Sequence, residues 1–142
     1  MSHSLVFFTF PTQKSEAPPE LPPNGDIKNL ARFELREISS DLLIGLIEYY
    51  NGFPENEDIF IGHLYISRMY QNKGFRKLVI GNLVNNARES GIRKLYLNVA
   101  TKNYPALWFW YNNGFNKIGR LIGDKDGGSD KYLDIQLINE IA

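Results

Sequence analysis

The sequence predicts a mixed α/β sheet with helices packed on it. Three observations carry this. Ala31–Ile38 and Leu42–Tyr50 alternate as strands on either side of a Ser39-Ser40-Asp41 turn, which makes a hairpin. Asp58–Ile66 runs as a strand into a polar glycine turn, then a helix over Lys77–Ser90, then a strand over Ile92–Ala100. That crossover makes its two strands parallel neighbours. A second helix, Asn103–Asn113, leads to Phe115–Ile122 and Lys131–Ile138, strands on either side of a polar hairpin loop.

Leu5–Phe10 is a short strand. Pro11–Asn29 holds five of the seven prolines and almost nothing apolar to bury, so it reads as an irregular connection. In the first hairpin strand Phe33 and Leu35 share one side, while Arg32, Glu34 and Arg36 share the other. The crossover helix shows Leu78, Val79, Ile80, Leu83, Val84 and Ala87 at a 3.6-residue period, with Gly91 placed to end it. Leu95, Leu97 and Val99 mark one face of the following strand. Pro105 falls in the first turn of the second helix, where it is tolerated, and Asn113-Gly114 closes that helix.

The 142 residues make one domain, with a proline-rich front over 1–29 and a core over 31–138. Apolar content of 43% and charged content of 23% are those of an ordinary soluble protein. The net charge is zero, which argues against a nucleic-acid or acidic-membrane partner. Without cysteine there is no disulfide, thiol nucleophile or thiolate metal site, and two histidines exclude a histidine-rich one. No metal is expected. The longest apolar run, Ala106–Tyr111, is far short of a membrane span, and the N-terminus lacks a basic region ahead of a long apolar core. A cytoplasmic protein is the default expectation.

The chemistry concentrates in Leu64–Lys77. A strand, a glycine turn and a helix start form a recipe for gripping a phosphate, because the first helical turn has unpaired N–H groups and the positive end of the macrodipole. Lys73, Arg76 and Lys77 crowd that helix start, and the first acid on the helix is Glu89 at its far end. Cations at the positive end of a dipole cost about 0.3–1 kcal/mol each when exposed. That pattern suits a helix that receives an anion; side chains that simply point into water are the alternative.

The turn has neither the Walker pattern G-x-x-x-x-G-K-[S/T] nor the dinucleotide pattern G-x-G-x-x-G. Gln71-x-x-Gly74-x-Arg76 instead resembles the Q/R-x-x-G-x-G/A turn of the GNAT superfamily, the acyl-CoA-dependent N-acyltransferases. The segment Asn103–Phe115 is similar to that family's N-x-x-A-x-x-aromatic-aromatic-x-x-x-G-F, with Asn103, Ala106, Phe109, Trp110, Gly114 and Phe115 in register. The resemblance covers about Ala31–Ile138 and implies a GNAT-like sheet, with acetyl-CoA as co-substrate. The backbones of Leu64 and Ile66 would pair with the pantetheine arm, like an added strand. The amides of Gln71, Asn72, Lys73, Gly74, Phe75 and Arg76 would hold the pyrophosphate. Asn103 would bond the pantetheine, and Ala106 and Trp110 would line the channel near the thioester.

Several positions depart from the family pattern. Arg76 stands where glycine or alanine is usual, so its side chain must point away or fold over a phosphate. Trp110 occupies the position that often carries a tyrosine acid, and an indole N–H cannot protonate a thiolate. Tyr111 beside it is the remaining candidate acid. Phe60 stands where relatives carry a glutamate base, which leaves Asp58, two residues away on the same face, as candidate base. His63 falls on the opposite face by the period of two and reads as structural. Pro11–Asn29 cannot supply the two helices that form much of the family's acceptor pocket, so that part is reduced or belongs to residues beyond this chain. Tyr49, Tyr50 and the acids Asp124, Asp126 and Asp130 are then candidate acceptor contacts.

The resemblance implies an N-acetyltransferase in which a primary amine attacks the thioester directly, in a ternary complex. Lowering a lysine-like amine from about 10.4 to about 7 costs some 4–5 kcal/mol, whereas a thiolate with a pKa near 8.5 scarcely needs an acid. The Ile66 amide is a candidate donor to the oxyanion. The alternative is a non-catalytic acyl-CoA-binding or sensor module of the same fold. The expected partner is a small-molecule or peptide amine, with no nucleic acid or membrane and with room for a homodimer.

Overall fold

In a computed structural model, residues 21–123 and 133–142 are described in full, together with the backbone of strand β1, Leu5–Pro11. The loop acids Asp124, Asp126 and Asp130 lie outside the described residues. The remaining strands are β2 (Leu30–Glu37), β3 (Leu43–Asn51), β4 (Asp58–Ile66), β5 (Lys94–Ala100), β6 (Lys117–Ile122) and β7 (Asp134–Glu140). The helices are α1 (Phe75–Glu89) and α2 (Tyr104–Asn112). Short 3-10 turns cover Ile27–Asn29 and Arg68–Tyr70.

The strands form one mixed sheet in the order β1-β2-β3-β4-β5-β7-β6. β2 and β3 are the expected antiparallel hairpin, and β4 and β5 are parallel, as the crossover requires. β4 has the expected bounds. The helix starts two residues earlier than the apolar period suggests, because Phe75 turns its ring into the core at 1% exposure. Phe115, expected to open β6, is instead a fully buried plug between α2 and that strand. Gly114 makes the bend: its φ is +99°, and a Cβ there would meet the Asn139 side-chain nitrogen at 2.8 Å.

Burial separates the two faces. Ile47, Ile59, Ile61, Leu64, Ile66, Leu95, Leu97, Val99 and Leu137 meet Val79, Ile80, Leu83 and Ala87 of α1 in a single core. Ala106, Leu107, Phe109 and Trp110 of α2 pack against the same core, so both helices lie on one face of the sheet. The other face carries no helix among the described residues. Register puts Glu48, Tyr50, Phe60, His63 and Tyr96 on it.

Two irregularities in β4 shape everything that follows. Its pairing to β5 stops after Asp58↔Lys94, Ile59↔Leu95 and Phe60↔Tyr96, although β5 stays paired to β7 along its whole length. From Ile61 onward the two strands splay. β4 also bulges against β3: Glu48 faces His63 but Tyr49 faces Ile61, so Gly62 is one residue extra. No described helix is long and apolar enough to cross a membrane.

Candidate active site

The splay leaves one edge of β4 without a sheet neighbour, and the ladder tells which amides face it. The Ser67 amide donates to the Ile44 carbonyl of β3 at 2.7 Å. Successive backbone groups of a strand alternate sides, so the Ile66 and Leu64 amides point away from β3, into the gap. The Ile66 carbonyl points the same way and accepts a bond from the Gln71 side chain at 2.9 Å. Gln71 thus ties the turn back onto the strand end.

Beyond Ile66 the chain makes its 3-10 turn, passes Asn72 at φ +62° and reaches Gly74 at φ +85°, the N-cap of α1. Side chains rarely adopt that backbone, and beyond its two chain neighbours no atom of the described residues lies within 4 Å of where a Gly74 Cβ would stand. The glycine is needed for its φ, and the space above it is open. No side chain caps the helix, and its first turn holds no acid. The amides of Gly74, Arg76 and Lys77 stand where a helix supplies no carbonyl of its own.

A depression of about 380 Å3 lies over this turn, lined by Ile66, Tyr70, Gln71–Asn72, Gly74–Lys77 and Phe109. Arg76 does not hang in water. Its guanidinium sits 5.4 Å from the centre of the Phe109 ring, beside the depression, and Lys73 lies 5.7 Å over Tyr70. The helix dipole, unsatisfied amides and held cations suit a pyrophosphate, and the gap beside Leu64 and Ile66 suits an extended amide-bearing arm.

α2 contributes differently from what its sequence pattern suggests. Asn103 is its N-cap, with Oδ1 accepting from the Ala106 amide at 3.3 Å, so only its Nδ2 remains to donate to a ligand. Trp110 is wedged edge-on between Phe109 and Phe115, with ring centroids 5.0 and 5.1 Å away. Tyr111 is turned off this face. It is 56% exposed, stacks edge-on with Trp108 and looks toward Ile118, Ile135 and Leu137, not toward the glycine turn.

Asp58 sits at the paired end of β4. It is buried at 4% exposure and accepts from the Glu55 amide at 3.1 Å, closing the loop ahead of the strand. Burial pushes its carboxyl up from the ordinary 3.8, with the Glu55 amide and Lys94 pulling back. Eight residue steps along the strand, about 26 Å, carry the chain from it to Ile66.

His63 corrects the face expected from a period of two. The Gly62 bulge inserts one residue, so Phe60 and His63, three apart, share the helix-free face. There they border a second depression, of about 220 Å3, with Glu48, Tyr49, Tyr50 and Phe53 on one side of the splay and Asn98 and Arg120 on the other. Pro22 and Pro23 form part of its rim. Tyr49 and Tyr50 do line this pocket, although Tyr50 also anchors the front segment, its hydroxyl accepting from the Asp26 amide at 2.9 Å. The gap in the sheet therefore separates a cationic turn beside the helices from an aromatic-lined pocket on the opposite face.

The sequence profile of the acetyltransferase (GNAT) family matches residues 8–115. No curated protein matches the sequence. Solved structures share the fold at low identity. An acetyltransferase of the GNAT family from Desulfovibrio desulfuricans superposes with a TM-score of 0.68 at 16% identity, over 80% of this chain and 71% of that one. An IAA acetyltransferase from Bacillus cereus gives 0.72 at 17%, over 96% and 99%. A spermidine N-acetyltransferase chimera from Vibrio cholerae and hSSAT gives 0.67 at 20%, over 80% and 68%.

Proposed function

The chain belongs to the acetyltransferase (GNAT) family, and from that premise we propose that it transfers an acetyl group from acetyl-CoA to a primary amine by direct attack in a ternary complex. The observation that carries this is the parting of β4 from β5 immediately before an uncapped, cation-rich helix start. The pyrophosphate would lie on the amides of the turn at Asn72, Lys73, Gly74 and Arg76, with Arg76 as an added cation; the Gln71 amide is held by the Arg68 carbonyl at 3.3 Å. The pantetheine would run along β4, its amides bonded to Ile66 and to the Nδ2 of Asn103, past Ala106. The outward Leu64 amide, further along the strand, supplies the donor for a thioester oxygen and the charge it gains in the transition state.

The acceptor would enter from the helix-free face, through the pocket bordered by Phe60 and Arg120. Each substrate then has its own face, and the splay is where they meet. Holding amine and thioester at that junction supplies much of the rate without a covalent intermediate. No tyrosine acid is required, since a thiolate with an ordinary pKa near 8.5 leaves readily.

Calorimetry with acetyl-CoA, followed by a thiol-release assay over a panel of amines, tests this. Binding with amine-dependent thiol release is the expected outcome. Binding without release from any amine would favour a non-catalytic acyl-CoA-binding module, and no binding at millimolar acetyl-CoA would overturn both.

A further inference from the structure

Three side chains form a row across the helix-free face. Register pairs Arg32 of β2 with Glu48 of β3, and Glu48 with His63 of β4. The Arg32–Glu48 ion pair is made through a single carboxylate oxygen, Oε2, at 2.5 Å, and both side chains are largely buried, at 18% and 14% exposure. The other oxygen, Oε1, points toward β4: a Cβ on Gly62 would lie 3.6 Å from it. Residues directly opposite in adjacent strands hold their Cβ atoms about 4.5–5.5 Å apart. The anchored carboxylate and the imidazole are therefore cross-strand neighbours, with no hydrogen bond or ion pair between them among the described residues.

The end of the row is set where the chemistry needs a proton acceptor. His63 borders the acceptor pocket, and its chain neighbour Leu64 turns its amide into the splay. Without the Gly62 bulge His63 would lie under the helices. The bulge moves it to the open face at the point where the two strands part. Phe60 fills the earlier position on that face, and Asp58 is consumed by its turn.

We propose that His63, turned to the open face by the Gly62 bulge at the point where the strands part, is the general base of the acetyl transfer. This rests on the function proposed above. An imidazole nitrogen of His63 takes one proton from the acceptor ammonium and passes it to bulk water. The neutral amine forms the N–C bond to the thioester carbonyl. As the intermediate collapses, the C–S bond breaks, and the second proton lost by nitrogen goes to the departing thiolate. Histidine is the residue most often used for this task. The charged and titratable groups facing His63 are Glu48 and Tyr50 from β3, Arg32 behind them, Tyr65 on its own strand and Arg120 across the cleft.

The test uses the full chain with acetyl-CoA and, as acceptors, 2-phenylethylamine, spermidine and lysine methyl ester. His63 is exposed, so His63→Gln is expected to fold, which a thermal melt checks. The expected result is a fall in kcat of about 100-fold with the KM for acetyl-CoA unchanged. The acid limb of the pH–rate profile disappears, and added imidazole restores part of the rate. His63→Gln with wild-type kcat and an intact acid limb overturns the proposal and leaves the acetyltransferase standing. A loss that imidazole does not restore, with the acid limb still present, overturns it too. Wild-type protein that binds acetyl-CoA but acetylates none of the three amines overturns both.

Discussion

The two ends of β4 are built from similar residues and do different work. At the first end, Ile59 and Phe60 are paired to strands on both sides, Asp58 is paired to β5, and its buried carboxylate fastens the preceding loop. At the second end, Leu64 and Ile66 keep their β3 partners but have lost β5. Gly62, the bulge, lies between. The same amide is a structural bond in one half and an uncommitted donor in the other. The difference teaches that a binding edge inside a sheet can arise by withdrawing a neighbour, without any change of residue type.

The largest effect should come from removing the anchor of the open half. Phe75 is buried at the very start of α1 and meets Tyr70 edge-on at 5.9 Å. Phe75→Ala should cost about 3–5 kcal/mol in urea unfolding. The variant should also lose acetyl-CoA affinity at concentrations where it is still folded, because the ring fixes the helix end to the strand end. A fall in stability with affinity intact would detach the turn from the core.

A smaller effect should follow from Gly74→Val. The φ of +85° strains a side chain there, by about 1–2 kcal/mol, and the new methyl groups would project into the open space over the turn. We expect at least a tenfold weaker Kd for acetyl-CoA by calorimetry, with a melting shift of a few degrees. Unchanged affinity would mean that the turn is not the phosphate site.

The smallest effect is expected at the paired end. Burial raises the Asp58 carboxyl, so the folded chain holds that proton more tightly than the unfolded chain. Stability from this group is then greatest below the unfolded value and declines as pH rises from about 4 through the raised folded value. Asp58→Asn keeps an oxygen for the Glu55 amide and removes the charge. Its stability at pH 7 should be equal to or above that of the wild type, the decline should flatten, and thiol release should be unchanged. A tenfold loss of turnover would move Asp58 from the fold into the chemistry.

Much of this was legible in the sequence, and the limits have physical causes. β4 and the hairpin before it were readable because alternation survives wherever one face is buried. The crossover fixed the parallel pair, and the cations without a nearby acid marked the helix start. The bulge was not legible: one added glycine reverses the facing of every residue beyond it, which is why His63 looked structural. Tyr111 sits one residue from Trp110, but about 100° around the helix carries it to the β6–β7 side, and only packing fixes that rotation. The end of β5 pairing left no mark either, since Leu97 and Val99 are as apolar as Leu95 and lie in the same buried core although β4 is no longer beside them.

Residue-resolved amide hydrogen exchange by NMR, with and without CoA, tests the parting of the strands most directly. In the free chain the Leu64 and Ile66 amides should exchange fast while Tyr65 between them, directed at β3, exchanges slowly. CoA should slow Leu64 and Ile66 and leave Tyr65 unchanged. Three slow amides in the free chain, or no change at Leu64 and Ile66 with CoA bound, would contradict a cofactor arm held on the open edge of β4.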